Sequence, residues 1–334
     1  MIVIGAGVSG LSCARILEEA GLSVELLEKS RGVGGRCHTR RIEGQPVDMG
    51  VAFLHGDNPV FLQALDTYVG DVAIEWPVSL SGEGPTCAPR GLAPSVRRVA
   101  LPEGLNAFPK ALAAGLTIHF QTLVQSIEMA GGACRVMSDA GVMYEARKVV
   151  LAIPLEQAGD LLDTIDPSSK DVAGLRALMR MCSSSACLAV GALYPASSPD
   201  PGFDLMHPSM SSCIALVSHD SSKRTAHAYR ALVFQGRTSW SRERLEAPKD
   251  LWSLALLEEA GRLLGTWACR PLFIHEHRWR FARIDGAPAF RQPVLTEVGG
   301  ATLGVTGEGF SESGGVEGAF IAGHDLATRL LEVL

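Results

Sequence analysis

Aromatic residues are scarce in this chain, at 6% of 334 positions with only four tyrosines. No basic patch is interleaved with aromatics, and the arginine pairs Arg40-Arg41 and Arg97-Arg98 stand alone. With a net charge of −6, the chain offers no basic field, so nucleic acid is excluded as a partner. No run approaches the roughly 18 consecutive apolar residues of a membrane span, so no membrane partner is expected. No charged segment followed by a cleavable apolar stretch opens the sequence, so no secretory signal is expected. The eight cysteines include no C-x-x-C pair. They read as reduced thiols in a cytoplasmic protein rather than as a disulfide framework. No G-x-S-x-G elbow is present, which excludes the usual serine hydrolase arrangement. Internal repeats and low-complexity segments are absent as well.

What is present starts at once. Ile2-Val3-Ile4 is a short β-branched run that stops at a glycine, the pattern of a buried strand. Gly5, Gly7 and Gly10 then fit G-x-G-x-x-G. The first glycine allows a tight turn, the second admits a pyrophosphate to the backbone, and the third lets the next helix pack close to the strand. That helix is predicted over 9–20, with Leu11, Ala14, Ile16 and Leu17 toward the sheet and Gly21 as its stop. Its first turn presents free N–H groups and a positive dipole end, suited to a diphosphate. A second strand is predicted over 23–27, ending at Glu28. An acid about 20 residues beyond the glycines accepts ribose hydroxyls and disfavours a 2′-phosphate.

A second glycine turn, Lys29-Ser30-Arg31-Gly32-Val33-Gly34-Gly35-Arg36, follows directly. A simple nicotinamide dehydrogenase has no use for it. A flavin dinucleotide does, because the chain must run beside its diphosphate and ribityl. Gly34 and Gly35 permit that approach, and Arg36 is placed to pair with a phosphate. Asp48-Met49-Gly50 gives another tight glycine position. Far downstream, Gly307-Glu308-Gly309 follows a predicted strand over 301–305, and Ser313-Gly314-Gly315-Val316 precedes a predicted helix. An acid at that strand end can accept a ribityl hydroxyl. The helix start can direct N–H groups at the flavin pyrimidine and stabilise its reduced form.

Arg-x-x-Gly-Gly-Arg, then Asp-Met-Gly, then the distal Gly-Glu…Glu-Gly-Ala resembles the flavin amine oxidase superfamily. Within it the chain is similar to the renalase family and its bacterial relatives. Supporting stretches are Thr39-Arg40-Arg41, Pro102-Glu103-Gly104-Leu105, Val149 to Pro154 and His277-Arg278-Trp279-Arg280-Phe281-Ala282. The segment Val51-Ala52-Phe53-Leu54-His55-Gly56 is instead closer to polyamine oxidases. The resemblance implies an α/β fold: a Rossmann-like FAD-binding domain of the p-hydroxybenzoate hydroxylase and amine oxidase type, interleaved with a mixed α+β substrate domain. The FAD-binding domain is expected from 1–75, 103–154 and 295–334, and the substrate domain from 76–102 and 155–294. Between 77 and 102 the chain is rich in Gly, Pro and Ser, with Gly82, Gly84, Pro85, Pro89 and Pro94, which reads as a crossing between the two.

The cofactor implied is non-covalent FAD, since no cysteine lies near the distal segment. The binding set implied is Gly5, Ala6, Gly7, Ser9, Gly10, Glu28, Lys29, Gly34, Gly35, Arg36, Gly50, Val124, Glu308, Gly315 and Val316. No metal is implied. His275 and His277 place two imidazoles on one strand face, but spacing signals no third or fourth ligand. Phe53, His55, Trp279 and Phe310 are the candidates for the substrate pocket, with core packing as the alternative role for Trp279 and a structural one for His55.

Renalase resemblance implies an FAD oxidase that takes hydride from 1,2- or 1,6-dihydro-NAD(P), restoring NAD(P)+ and reducing O2 to H2O2. Aromatisation of the nicotinamide drives hydride departure, so no dedicated base is needed. The alternatives are an amine or polyamine oxidase and a flavin-binding protein without turnover. Amine oxidases usually carry a lysine near the flavin on an early substrate-domain strand, and aromatic cage residues late in the chain. Here no lysine lies between Lys170 and Lys223, and no tyrosine follows Tyr229.

Overall fold

The computed structural model describes residues 1–85, 90–166, 170–285 and 290–333. Pro89 of the expected crossing lies outside the described residues. The chain divides into two compact units, Met1–Gly35 with Phe108–Ser184 and Arg283–Leu334, and Arg36–Ala107 with Ser185–Ala282.

The first unit is built on a six-stranded sheet. Its order is Val294–Val298, Ala301–Val305, Lys148–Leu151, Ile2–Ile4, Glu25–Leu27, Thr117–His119. All neighbours are parallel except the first pair. These strands are short and apolar because both faces are covered, as parallel sheets require. The helix Val8–Glu19 packs backbone to backbone with the last helix, Gly315–Glu332. A Cβ on Gly323 would stand 2.1 Å from the Ser9 carbonyl, and Ser12 Oγ donates to the Phe320 carbonyl at 2.9 Å. An antiparallel sheet, Val124–Ala130, Ala133–Ser138 and Met143–Ala146, completes the scaffold. The second strand begins at Glu25 rather than residue 23.

The second unit centres on another six-stranded sheet. Its order is Phe273–Ile284, Ser184–Pro195, Tyr229–Gly236, Ile214–His219, Leu205–Met206, Leu80–Ser81. The hairpin Thr39–Ile42 and Gln45–Asp48 covers one face, with Ile42, Val47 and Met49 packed on Ala189, Leu193, Ala231 and Val233. The helix Lys249–Leu264 contributes Trp252, Leu256 and Leu257 to a cluster with Leu188, Val190 and Phe234.

These units differ from the sequence-expected division in four stretches. Residues 36–75 and 103–107 fold with the second sheet, because the hairpin buries its apolar side there and Leu54–Gly56 pairs with Arg97–Ala100. Residues 155–184 and 283–294 fold with the first, because Leu155, Leu161, Leu162, Leu175 and Met179 join the cluster holding Leu151 and Leu303. A helix over Pro59–Val69, capped by Asn58 Oδ1 accepting from the Val60 N–H at 2.9 Å, has no counterpart in the sequence reading.

Candidate cofactor and active site

In the first unit, two kinds of glycine face each other across one turn. Gly5 adopts φ +102°, and a Cβ on it would meet the Ala152 carbonyl at 2.7 Å. A Cβ on Gly10 would stand 2.1 Å from the Gly5 carbonyl. Both are therefore fixed by packing of strand, helix and the returning strand Lys148–Leu151. Gly7 differs: nothing in the protein lies within 4 Å of where its Cβ would be. It caps the helix with extended backbone, and no side chain bonds to the helix's first N–H groups. Open space and unclaimed donors coincide at one point, which is what a diphosphate requires.

Glu28 ties this turn together. Its Oε2 accepts from the Ala6 N–H at 2.8 Å and its Oε1 from the Ser30 N–H at 2.7 Å. A carboxylate has about four acceptor sites, so capacity for ribose hydroxyls remains. The Gly34 N–H donates to the Ala6 carbonyl at 2.9 Å, and Gly35, at φ +53°, stands with its Cβ position 3.6 Å from Gly7 Cα. The second glycine turn thus folds directly over the first. Ser9 Oγ lies 3.0 Å from Thr306 Oγ1, linking the cradle helix to the end of strand Ala301–Val305. Lys29 points outward to Gln157 Oε1 at 3.3 Å. Val124 starts its strand at an irregular register against Ser138.

The distal segment joins the same unit. Glu308 Oε1 accepts from the Gly315 N–H at 3.0 Å, tethering the start of the last helix, while Val316 is half-buried in its first turn. Gly314, at φ +63°, has nothing within 4 Å of its Cβ position. Phe310 is corrected here. It is 1% exposed and stacks on Phe290 at 4.5 Å, so it has no face to offer a substrate.

In the second unit, Gly50 is fixed by its own neighbours. A Cβ there would stand 1.9 Å from the Arg36 carbonyl and 3.2 Å from the Trp279 ring. Arg36 Nη1 donates to the Ala282 carbonyl at 3.2 Å. Trp279 is half-buried, and its Nε1 donates to the Met49 carbonyl at 2.9 Å. Phe53 is buried with its ring 6.0 Å from that of Trp76, and His55 packs against Gly91. Trp279 and His55 retain partial exposure; Phe53 retains little.

Sequence reasoning missed two groupings. The first is a fully buried ionic knot. Lys223 Nζ stands 2.8 Å from Asp48 Oδ2 and 2.7 Å from Asp220 Oδ1, and 4.7 Å above the Trp76 ring. Arg224 Nη1 closes on Asp220 Oδ2 at 2.7 Å. Asp48 also accepts from Thr39 Oγ1 at 2.6 Å and the Leu105 N–H at 2.9 Å. Lys223 and Arg224 hold Asp220 well below the usual carboxylate range against the opposing effect of burial. The only sequence signal was the Asp220-x-x-Lys223-Arg224 spacing on a short helical turn.

The second is a group of imidazoles. His38 and His277 have ring centres 5.4 Å apart, and His277 lies 4.1 Å from Trp279. Burial, then the neighbouring His38, His275 and Lys249, push His277 down to about 4. Burial, then Arg40, lowers both His38 and His275. Spacing pointed to His275 and His277, but His38 comes from a distant stretch and was invisible to it. Among the described residues no group of three ligating side chains has geometry for a metal, and no helix is long and apolar enough to cross a membrane.

The residues of the first unit fit FAD on structural grounds, with room at Gly7 and Gly314, open helix N–H groups, and an acid with spare acceptor capacity at Glu28. At Gly5, Gly10 and Gly50 close packing within the protein itself leaves no room for a side chain.

Known proteins agree with this frame. Residues 3–68 match the NAD(P)-binding Rossmann-like domain family, and residues 80–331 match the flavin containing amine oxidoreductase family. Probable polyamine oxidase 4 of Arabidopsis thaliana is 51% identical over 63 residues, 18% of this chain and 13% of that protein. Polyamine oxidase 7 of Oryza sativa subsp. japonica is 26% identical over 183 residues, 54% of this chain and 29% of that protein. The matched segments therefore span well under half of these relatives. Among solved structures, a triple mutant of putrescine oxidase superposes with a TM-score of 0.75 at 16% identity, covering 100% of this chain and 98% of that one. Cyclohexylamine oxidase from Brevibacterium oxydans IH-35A gives 0.67 at 17% identity, covering 99% and 98%. At such identities the likeness establishes the fold.

Proposed function

The chain belongs to the flavin containing amine oxidoreductase family, and from that premise we propose that it is an FAD-dependent oxidase of a small amine. The observation that carries the reading is the family match over 80–331 joined to the open diphosphate cradle at Gly7. FAD, when bound, supplies a two-electron acceptor that O2 reoxidises to give H2O2. The protein's share is to bind, orient and keep water out. Glu28, Gly34, Gly35 and the starts of the helices at Gly7 and Gly315 hold the dinucleotide. Trp279 and His55 are the part-exposed rings available to a substrate, with Phe53 packed behind His55 at 5.4 Å between ring centres.

A specific observation favours a second reading, oxidation of an isomeric dihydronicotinamide. Lys223, the first lysine after the gap, lies on a short helical turn, is 0% exposed and is held by two carboxylates. It has no freedom to act at a substrate carbon. A dihydronicotinamide needs no such group, because aromatisation drives the hydride out.

Oxygen uptake with H2O2 release, measured on a panel of diamines, polyamines and monoamines, tests the proposal. Turnover of at least one amine supports it. No uptake with any amine, but rapid uptake with 1,2- or 1,6-dihydro-NAD(P), replaces it with the second reading.

A further inference from the structure

Two strands of the second unit present basic side chains toward each other. On Phe273–Ile284, His275, His277 and Trp279 alternate and so share one face. At the start of Thr39–Ile42, His38 and Arg40 are likewise two apart. The two rows meet where the His38 and His277 rings stand 5.4 Å apart, with the His38 and Trp279 rings at 6.3 Å. Lys249, at the start of the helix Lys249–Leu264, is near enough to act electrostatically on His275 and His277.

The group is one-sided in charge. Arg40 and Lys249 are exposed, and neither forms an ion pair among the described residues. Two carboxylates reach the group, Asp48 toward His38 and Glu276 toward His275. Asp48 is buried and already held by Lys223 at 2.8 Å. Glu276 points from the opposite strand face and accepts from Ser253 Oγ at 3.3 Å. The imidazoles therefore have donors and latent charge but no anion of their own.

We propose that His38, Arg40, His275, His277 and Lys249 form a binding site for an oxyanion of the phosphate class, carried by the substrate or by a second ligand. Ring N–H groups, a guanidinium fork and an ammonium together match the oxygens of such a group. Burial and mutual repulsion keep the imidazoles neutral when the site is empty, and a bound oxyanion reverses that balance by favouring their protonated forms. Binding is then coupled to proton uptake and strengthens as pH falls from 6.5 toward the lowered values of the free imidazoles. The same field opposes a wholly cationic ligand such as a polyamine, so the site also selects. This goes beyond the choice of hydride donor, and its readout is independent of turnover.

The test uses FAD-loaded protein with labelled histidine, followed by imidazole NMR during titration with inorganic pyrophosphate, with acetate and spermidine at matched ionic strength. The expected result is saturable shifts of the His38, His275 and His277 signals with pyrophosphate, a rise in their titration midpoints, weaker effects with acetate and none with spermidine. The Arg40→Gln/Lys249→Gln double variant, whose changes lie on exposed side chains, should bind pyrophosphate at least about tenfold more weakly, as expected for lost charged hydrogen bonds. Three unmoved imidazoles at millimolar pyrophosphate, or undiminished binding in the double variant, would overturn the proposal. An acetate response equal to that of pyrophosphate would overturn the phosphate class.

Discussion

Lys223 Nζ lies 2.8 Å from Asp48 Oδ2, with the lysine side chain 0% and the aspartate 1% exposed. Asp48 sits at the end of the hairpin strand Gln45–Asp48, one residue before Met49, whose carbonyl receives the Trp279 indole. The pair therefore anchors the turn that carries Gly50 and supports the ring beside it.

Lys223→Met should destabilise the protein by about 3–5 kcal/mol, because two buried carboxylates lose their shared cation. Urea unfolding measures this. Lys223→Met combined with Asp48→Asn should recover part of the loss, since the carboxylate left without a close cation is removed while Asp220 keeps Arg224 at 2.7 Å. A single variant as stable as the parent would show that the knot is not a structural anchor.

Two glycines of the cradle should respond in opposite ways. Gly7→Val has room within the protein, so the flavin-free fold should melt at nearly the parent temperature while flavin occupancy of purified protein falls steeply. Gly10→Ala drives a methyl into the Gly5 carbonyl, so the fold itself should lose stability. Absorbance at the flavin band and thermal melts of stripped protein separate the two. Full occupancy in Gly7→Val would mean that the diphosphate lies elsewhere.

Glu28→Ala removes the acceptor of the buried Ala6 N–H, at a cost of about 1–3 kcal/mol, and should also weaken FAD retention. Glu28→Gln keeps one oxygen acceptor and should be milder on both counts. Flavin released on dilution, compared across the three proteins, gives the ranking. Equal retention by all three would remove Glu28 from the binding set.

Acid should destabilise the fold through the half-buried imidazoles. His277 is pushed down to about 4 in the folded protein from an ordinary value of 6.5, with burial the largest cause. The unfolded chain thus takes up the proton first, and stability falls as pH drops from 6.5 toward 4, with no contribution from this residue above that window. His277→Phe should flatten the urea midpoint between pH 6.5 and pH 4 relative to the parent. An identical slope in both proteins would place the acid sensitivity elsewhere.

The cradle was legible in the sequence because each step of it is local. A strand, three glycines, a helix and an acid follow in order within 28 residues, and the structure reproduces that order with shifts of one or two residues at the ends. The distal helix start was legible because Gly314-Gly315 marks a backbone that few other residues adopt. The hairpin Thr39–Asp48, within the 1–75 stretch expected in the FAD-binding domain, packs on the second sheet instead, because its apolar residues specify burial, not the surface that buries them. Gly50 reads as a cofactor glycine, and the Arg36 carbonyl by itself already requires a glycine there. Phe310 looked like a pocket wall, yet it stacks on Phe290 and belongs to the apolar core of the first unit. The ionic knot joins Asp48 to residues 220–224, a contact that no short-range pattern carries.

The most direct measurement is anaerobic rapid mixing of the FAD-loaded protein with each candidate donor, following loss of the oxidised flavin band. The account predicts single-turnover bleaching by a small amine, with the colour returning when O2 is admitted. Bleaching by 1,2- or 1,6-dihydro-NAD(P) with no response to any amine would contradict the amine oxidase reading, and a flavin that no donor bleaches would contradict the assignment of the chain as an oxidase.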